Sequence, residues 1–234
     1  MVLTDKEVYE LTGLEGFRQV NHRLRKQTLL ALAQQHFKHG APVVDIGCAA
    51  GDLTIELQAL GFQMTGVEFE PLRLERARAA TARLGLPVRF ISEDLTKWRN
   101  DGVFEGMIMA EILEHFSEPR KTLEAFLPRL AAGGKILVTV PNMASLRARL
   151  KLLFFGEFAD HNPEHLFYFT RRRFIEHFRG LPVDVLGISS SLMEITFSRS
   201  VALAQIERAA LAPLRLAMPY AGSHLVAVLM KTKG

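Results

Sequence analysis

The stretch from residue 42 to residue 71 constrains this chain most. A short apolar run, PVVDI (42–46), ends in the loop GCAAG (47–51); a helix-forming stretch begins near Asp52, and a second apolar run follows at Met64 to Phe69. Strand, glycine-bearing loop, helix and strand in that order form a βαβ unit, which commits the two strands to one parallel sheet. The spacing also carries chemistry, because Glu68 stands 21 positions after Gly47. In a nucleoside-binding unit the loop lets main chain approach the ligand, and an acidic residue about 20 positions on accepts hydrogen bonds from both ribose hydroxyls.

The rest of the chain alternates in the same way. Residues 4–39 read as a helix with Leu24, Leu29, Leu30, Leu32 and Ala33 as an apolar stripe beside Arg23, Arg25 and Lys26. Pro71 suits the first turn of a helix running to Leu84, since its missing N–H is not needed there. Further strands are expected at 88–92, at 106–110 leading into EILEHF, and at 135–140. Ser117 is a candidate cap for a helix ending at Gly133 and Gly134. More strands are expected near 183–188, 192–197 and 224–230, with an antiparallel final pair. The expected fold is therefore α/β: a doubly wound, mostly parallel, seven-stranded sheet. Residues 1–40 would form a helical cap and 41–234 the main domain, with a lid insertion at 142–180 and a helical insertion at 198–221.

The 234 residues suit one such domain with insertions. No apolar stretch approaches the roughly 18–20 residues of a membrane span, and Met1 to Glu10 mixes charges where an export signal needs an apolar run. With a single cysteine, Cys48, the composition predicts a reducing compartment and a cytoplasmic protein.

Which ligand the loop takes follows from charge. A dinucleotide fingerprint would put its third glycine on Asp52, beside the helix N-terminus that must hold a pyrophosphate, and the two negative groups would repel. A ligand carrying a sulfonium and an ammonium meets no such conflict and is favoured by Asp45 and Asp52. S-adenosylmethionine is that ligand. VVDIGCAAGDLT (43–54), GVEFEP (66–71), SEDLTKW (92–98), MIMAEILEH (107–115) and GGKILVTVPN (133–142) stand in consistent order and spacing. On these motifs the chain resembles the class I S-adenosylmethionine-dependent methyltransferases, over roughly residues 41–141 and the C-terminal strands. The resemblance implies that Asp45, Gly47, Ala49 and Gly51 line the methionine end and Glu68 binds the ribose. Phe69 would flank the adenine, with Asp94 and Leu95 at its edge. Ala49 departs from the pattern, since many members have glycine there.

Methyl transfer to a hydroxyl also needs a proton acceptor. In EILEHF, Glu111, Glu114 and His115 are spaced i, i+3 and i+4, which a helical turn would present on one face, and His165 could reach the same mouth. His115 or His165 would then act as general base, as the EILEH motif resembles ubiquinone-biosynthesis O-methyltransferases. A second reading makes Glu111, Glu114, His115 and His165 a site for a divalent metal holding a vicinal diol. This resembles small-RNA 3′-terminal 2′-O-methyltransferases, with which His165, Phe169, Thr170 and Arg171 are also comparable. A third reading leaves these residues to organise the loop after the fourth strand, and a fourth makes the chain a non-catalytic S-adenosylmethionine-binding protein.

The net charge of +4 is unevenly spread: residues 142–180 carry seven basic and four acidic residues and eight of the twenty aromatics. Leu146, Leu150, Leu153 and Phe154 with Arg147, Arg149 and Lys151 predict a basic amphipathic helix. It could cover the site, rest on a membrane through 143–158 to meet a lipid-linked acceptor, or contact nucleic acid. Arg171, Arg172 and Arg173 follow the candidate cap Thr170, where a helix dipole disfavours cations, so either an anionic group lies nearby or the three form a solvated face. Tyr9, Arg23 and Arg25 are candidates to close over the cofactor carboxylate.

Overall fold

The computed structural model describes residues 16–95, 97–98, 102–158, 162–190 and 218–232. Its elements are α1 (Gly16–His36), β1 (Pro42–Ile46), α2 (Asp52–Ala59), β2 (Gln63–Glu68), α3 (Pro71–Leu84), β3 (Arg89–Ser92) and β4 (Phe104–Ala110). They are followed by α4 (Pro119–Phe126), β5 (Leu130–Pro141), α5 (Leu146–Phe155), α6 (Arg171–Phe178), β6 (Val183–Ser190) and β7 (His224–Lys231). The seven strands lie in the order β3-β2-β1-β4-β5-β7-β6. The first five in that row pair in parallel, and β7 runs antiparallel between β5 and β6. Strand order reverses between β1 and β4, so a crevice opens beyond the carboxyl ends of those two strands.

The central strands are apolar on both faces because helices cover both. Val43 and Leu137 pack with Leu29, Ala33, Leu53 and Leu57 on one side, while Val44, Met107 and Val138 pack with Trp98, Phe126, Phe169 and Phe174 on the other. Gly66 in β2 is fixed by space: a Cβ there would lie 2.7 Å from Cys48 Sγ and 2.8 Å from Phe90. The expected helix from Pro71 to Leu84 is present, with Pro71 in its first turn and Gly85 closing it at φ 64°.

Two expectations are corrected. The helix after β4 starts at Pro119, with Glu118 and not Ser117 as N-cap, and it stops at Phe126 rather than at Gly133. Pro128 has no N–H to continue the helical ladder, so the chain tightens into a 3-10 turn at Leu127–Arg129 and enters β5 at Leu130. Gly133, at φ 76°, sits inside that strand near the register shift against β4. The segment 142–180, read as a lid insertion, packs on the core over part of its length. Phe169, Phe174 and Phe178 belong to the main core, and Asn142 and Met143 pair with Phe169 through backbone contacts. Residues 4–15 with Tyr9, the expected strand 192–197 and most of the insertion 198–221 fall outside the described residues. Among the described residues no helix is long and apolar enough to cross a membrane.

α1 is held to α2 by buried charge. Lys26 Nζ donates to Glu56 Oε1 at 2.9 Å and lies 3.5 Å from Asp52, which His22 also approaches at 3.4 Å. Removing one partner of a buried pair strands the other, at a cost of about 3–5 kcal/mol. The helix is therefore fixed in register over the loop that α2 follows.

Candidate active site

The loop after β1 is shaped by three left-handed residues, Gly47 (φ 73°), Ala49 (φ 48°) and Gly51 (φ 78°). At Gly47 no side chain fits, since a Cβ would meet Ile112 Cδ1 at 2.7 Å. Ala49 is the exception to glycine, and the left-handed region costs an alanine roughly 1 kcal/mol. Its N–H donates to Glu68 Oε2 at 3.0 Å, a charge-assisted bond that offsets the cost. Glu68 Oε1 accepts two more, from the N–H groups of Phe69 (2.9 Å) and Glu70 (3.0 Å). A carboxylate offers about four acceptor sites. Three are taken, which leaves about one acceptor position on Glu68 open in this arrangement.

Behind the loop, Asp45 is buried and accepts from Thr54 Oγ1 at 2.6 Å. Burial pushes its carboxyl up to about 7; the Thr54 bond works against that shift, and the nearby Asp52 and Glu68 charges add to it. Burial likewise lowers the His22 imidazole, against the pull of Asp52, so His22 favours the neutral form. The Cys48 thiol is raised well above its ordinary value by burial, which makes it an inert packing residue.

At the end of β4 the expected helical face does not form. Glu111 adopts φ 53°, and only Leu113–His115 make a single 3-10 turn, too short to align Glu111 with Glu114 and His115. Glu111 instead faces Arg25 of α1 at 3.7 Å and His224 at the start of β7 at 3.4 Å. Glu114 is almost fully buried, and its main-chain carbonyl accepts from the N–H groups of Leu166 and Phe167, which draws the 162–169 segment against the turn. That places His165 Nε2 4.0 Å from Glu114 Oε1 and the two imidazoles, His115 and His165, 4.9 Å apart edge to face. His115 Nδ1 lies 3.2 Å from the Glu164 carbonyl. A carbonyl only accepts, so neutral His115 carries its proton on Nδ1 and keeps its lone pair on Nε2. Glu114, His115 and His165 each offer a ligand atom within 4.8 Å of the others, so the four-residue metal set of the sequence reading contracts to three, without Glu111.

One cleft of about 860 Å³ joins both halves. Gly47, Ala49, Glu68, Phe69, Asp94 and Leu95 line it at one end; Glu111, Glu114, His115 and His165 line it as well. Asp45 instead borders an adjoining hollow of about 90 Å³ with His22, Arg25 and Asp52. Gly51 lines neither; it caps α2 and sits where a Cβ would press on Ala77 at 3.0 Å. Phe69 is exposed, as a ring free to lie against a ligand base must be. Arg25 reaches the cleft and Arg23 does not.

Sequence reasoning missed His22, Arg73, Arg76, Phe116 and Asn162. His22 had a signal, since it stands three and four positions before Arg25 and Lys26 on one helix face. An anion beside Arg171–Arg173 is not needed. Thr170 caps α6, Arg171 stacks on Tyr220 at 4.0 Å, Arg172 bonds Glu176 at 3.0 Å, and Arg173 lies over Phe167 at 4.8 Å.

A family model described as a methyltransferase domain matches residues 17–181. A ubiquinone biosynthesis O-methyltransferase of Xanthomonas axonopodis pv. citri is 31% identical over 106 residues, 44% of this chain and 44% of that protein. One from Colwellia psychrerythraea is 28% identical over 102 residues, 43% and 42% of the two chains. The match thus spans less than half the length of these curated relatives. Among solved structures, magnesium protoporphyrin IX methyltransferase from Synechocystis PCC 6803, with bound S-adenosylhomocysteine, superposes at TM-score 0.67 and 13% identity, covering 92% of this chain and 85% of that one. A [4+2]-cyclase superposes at TM-score 0.64 and 18% identity over 95% and 84%. At these identities the structures show a shared fold.

Proposed function

This chain belongs to the methyltransferase domain family, and from that premise we propose that it transfers a methyl group from S-adenosylmethionine to an oxygen of a small or lipid-linked acceptor. The observation that carries the reading is the cleft that the Glu68 loop and His115 both line, with His115 Nδ1 held by the Glu164 carbonyl so that Nε2 is the ring nitrogen left to accept a proton. The chain's groups fit the cofactor. Gly47 lines the cleft with its main chain, Glu68 has one acceptor site to give, and Asp45 and Asp52 lie where positive charge is favoured. When bound, S-adenosylmethionine supplies a methyl carbon made electrophilic by a sulfonium. His115 Nε2 takes the acceptor's hydroxyl proton as the new carbon–oxygen bond forms and the carbon–sulfur bond breaks, and later releases that proton to water. His165, backed by the buried Glu114 carboxylate, positions the His115 ring. The similarity to ubiquinone biosynthesis O-methyltransferases supports an oxygen acceptor.

The three-residue donor set favours one further reading. A carboxylate and two imidazoles suit a divalent transition metal. Glu114, His115 and His165 would hold it, and it would acidify one hydroxyl of a vicinal diol such as an RNA 3′ end. Transfer of labelled methyl into fractionated cell extract, with and without a chelator, decides. The expected result is label in the small-molecule or lipid fraction that survives chelation. Label in RNA lost on chelation favours the metal reading, and no label from protein that still binds S-adenosylmethionine makes the chain a binding protein.

Asp45 adds a pH dependence. Its folded-state value, about 7, lies above the ordinary carboxylate value of 3.8, so folding alone keeps a proton on it that the unfolded chain has lost across that window. Stability contributed at this position is thus present below about pH 4 and declines as pH rises toward 7. A cationic ligand stabilises the ionised form, so binding expels that proton. Cofactor affinity is expected to rise with pH, by up to tenfold per unit below 7, and to level off above it. Calorimetry in buffers of different ionisation enthalpy reads the released proton directly, and Asp45→Asn removes both the slope and the release.

A further inference from the structure

α5 is folded inside out. The sequence places Leu146, Leu150, Leu153 and Phe154 on one stripe, which a helix covering a site would turn inward. The buried residue is instead Ala148, and beside it Lys151 is occupied by Glu157 at 3.1 Å. At 100° per residue, the opposite face runs Arg149, Leu153, Leu146, Leu150, Phe154, Arg147 over an arc of roughly 160°. Arg147 and Arg149 are exposed, and Leu153 and Phe154 are 74% and 71% exposed. In the last turn Leu152 and Phe155, on other sides of the helix, are exposed too, as is Phe158 beyond it.

We propose that this helix end docks on the surface of an anionic lipid bilayer, with the Leu150–Leu153–Phe154 ridge entering the acyl boundary and Arg147 and Arg149 at phosphate level. Two observations select a bilayer. The ridge is apolar between two flanking arginines, the arrangement of a helix lying in a membrane interface, where long cationic side chains reach out to the phosphates. The last turn is apolar on every side and therefore protrudes. A fluid surrounds a protruding tip, whereas a protein partner needs a matched surface of about 800 Å² on each side.

The patch also reaches the cleft. Phe158 is four residues from Asn162, at most about 14 Å of extended chain, and Asn162 and His165 line the cleft. Leu166 and Tyr168, immediately after His165, are exposed as well. A docked protein would thus hold the cleft rim close to the membrane surface. The docking is independent of the methyl-transfer reading, because vesicle binding is measured without turnover.

The test is cosedimentation of the full chain with phosphatidylcholine vesicles and with vesicles that also contain phosphatidylglycerol. Binding is expected to the mixed vesicles, to fall with salt, and to be weak on phosphatidylcholine alone. Arg149→Gln should weaken binding about fivefold, the equivalent of ~1 kcal/mol per interfacial cation. The double variant Phe154→Ser/Phe155→Ser should weaken it at least ~10-fold by removing the inserted area. Both variants alter exposed side chains, so thermal unfolding and S-adenosylmethionine affinity should stay unchanged, which separates docking from folding. No binding to the mixed vesicles, or binding indifferent to the phenylalanines, overturns the proposal. A dimer in solution that Phe154→Ser/Phe155→Ser dissociates, with no vesicle binding, overturns it in favour of a second copy.

Discussion

Replacing Glu68 by alanine is expected to weaken S-adenosylmethionine binding at least ~100-fold in titration calorimetry, with a smaller loss of thermal stability. The carboxylate does two jobs that alanine cannot. It holds the loop by accepting from the N–H groups of Ala49, Phe69 and Glu70, and it has one acceptor site left for a ribose hydroxyl. A hydrogen bond to a charged group contributes about 1.5–3 kcal/mol, and loss of that ligand bond alone takes roughly tenfold to a hundredfold. The rest comes from the loop. Without Glu68 its bond no longer offsets the left-handed strain at Ala49, and the main chain of the loop that lines the cleft is no longer preorganised. Glu68→Gln makes the argument sharper. Its amide oxygen can still accept from Phe69 and Glu70, but its NH₂ would meet the Ala49 N–H donor to donor, so an intermediate loss of about tenfold is expected. Affinity unchanged within threefold in Glu68→Ala would remove Glu68 from the binding site.

The sheet was legible because its signals are local. PVVDI, the loop and the Glu68 spacing give β1, α2 and β2 almost to the residue, and Pro71 with Gly85 brackets α3. Reasoning failed where a long-range contact outweighs a local pattern. The i, i+3, i+4 spacing of EILEH suggests a helical face, but Glu111 is pulled to Arg25 and His224, from elements far away in sequence, and the turn that remains is three residues long. At Arg171–Arg173 the sequence left open an anion or a solvated face, because it does not show that Tyr220, Glu176 and Phe167 lie against them. The aromatic richness of 142–180 hid two populations, a buried set that completes the main core and an exposed set on and beyond α5. Periodicity found the amphipathic helix there but could not say which face turns inward, because a small Ala148 decides it and the larger residues do not.

The same limit applies to the catalytic assignment, since what fixes the His115 tautomer is a main-chain carbonyl that no side-chain motif records. His115→Ala is expected to lower kcat by about 10²–10⁴, the usual range for loss of a general base, while S-adenosylmethionine affinity stays within threefold, because the residues proposed to hold the cofactor lie on the loops after β1 and β2. The informative comparison is with His165→Ala. In the base reading His165 only positions the neighbouring ring, so its removal should cost about tenfold, well below the His115 loss, and the His115→Ala enzyme should recover rate as hydroxide replaces the missing base at high pH. In the metal reading the two histidines are equivalent ligands. Both variants would then lose bound metal and lose activity to the same extent, and alkaline pH would restore neither. The Glu164 carbonyl, 3.2 Å from His115 Nδ1, fixes the tautomer and leaves Nε2 to take a proton or to bind an ion, so the comparison of the two variants decides between the readings. Equal losses in the two variants, accompanied by loss of metal from the purified protein, would reverse the assignment.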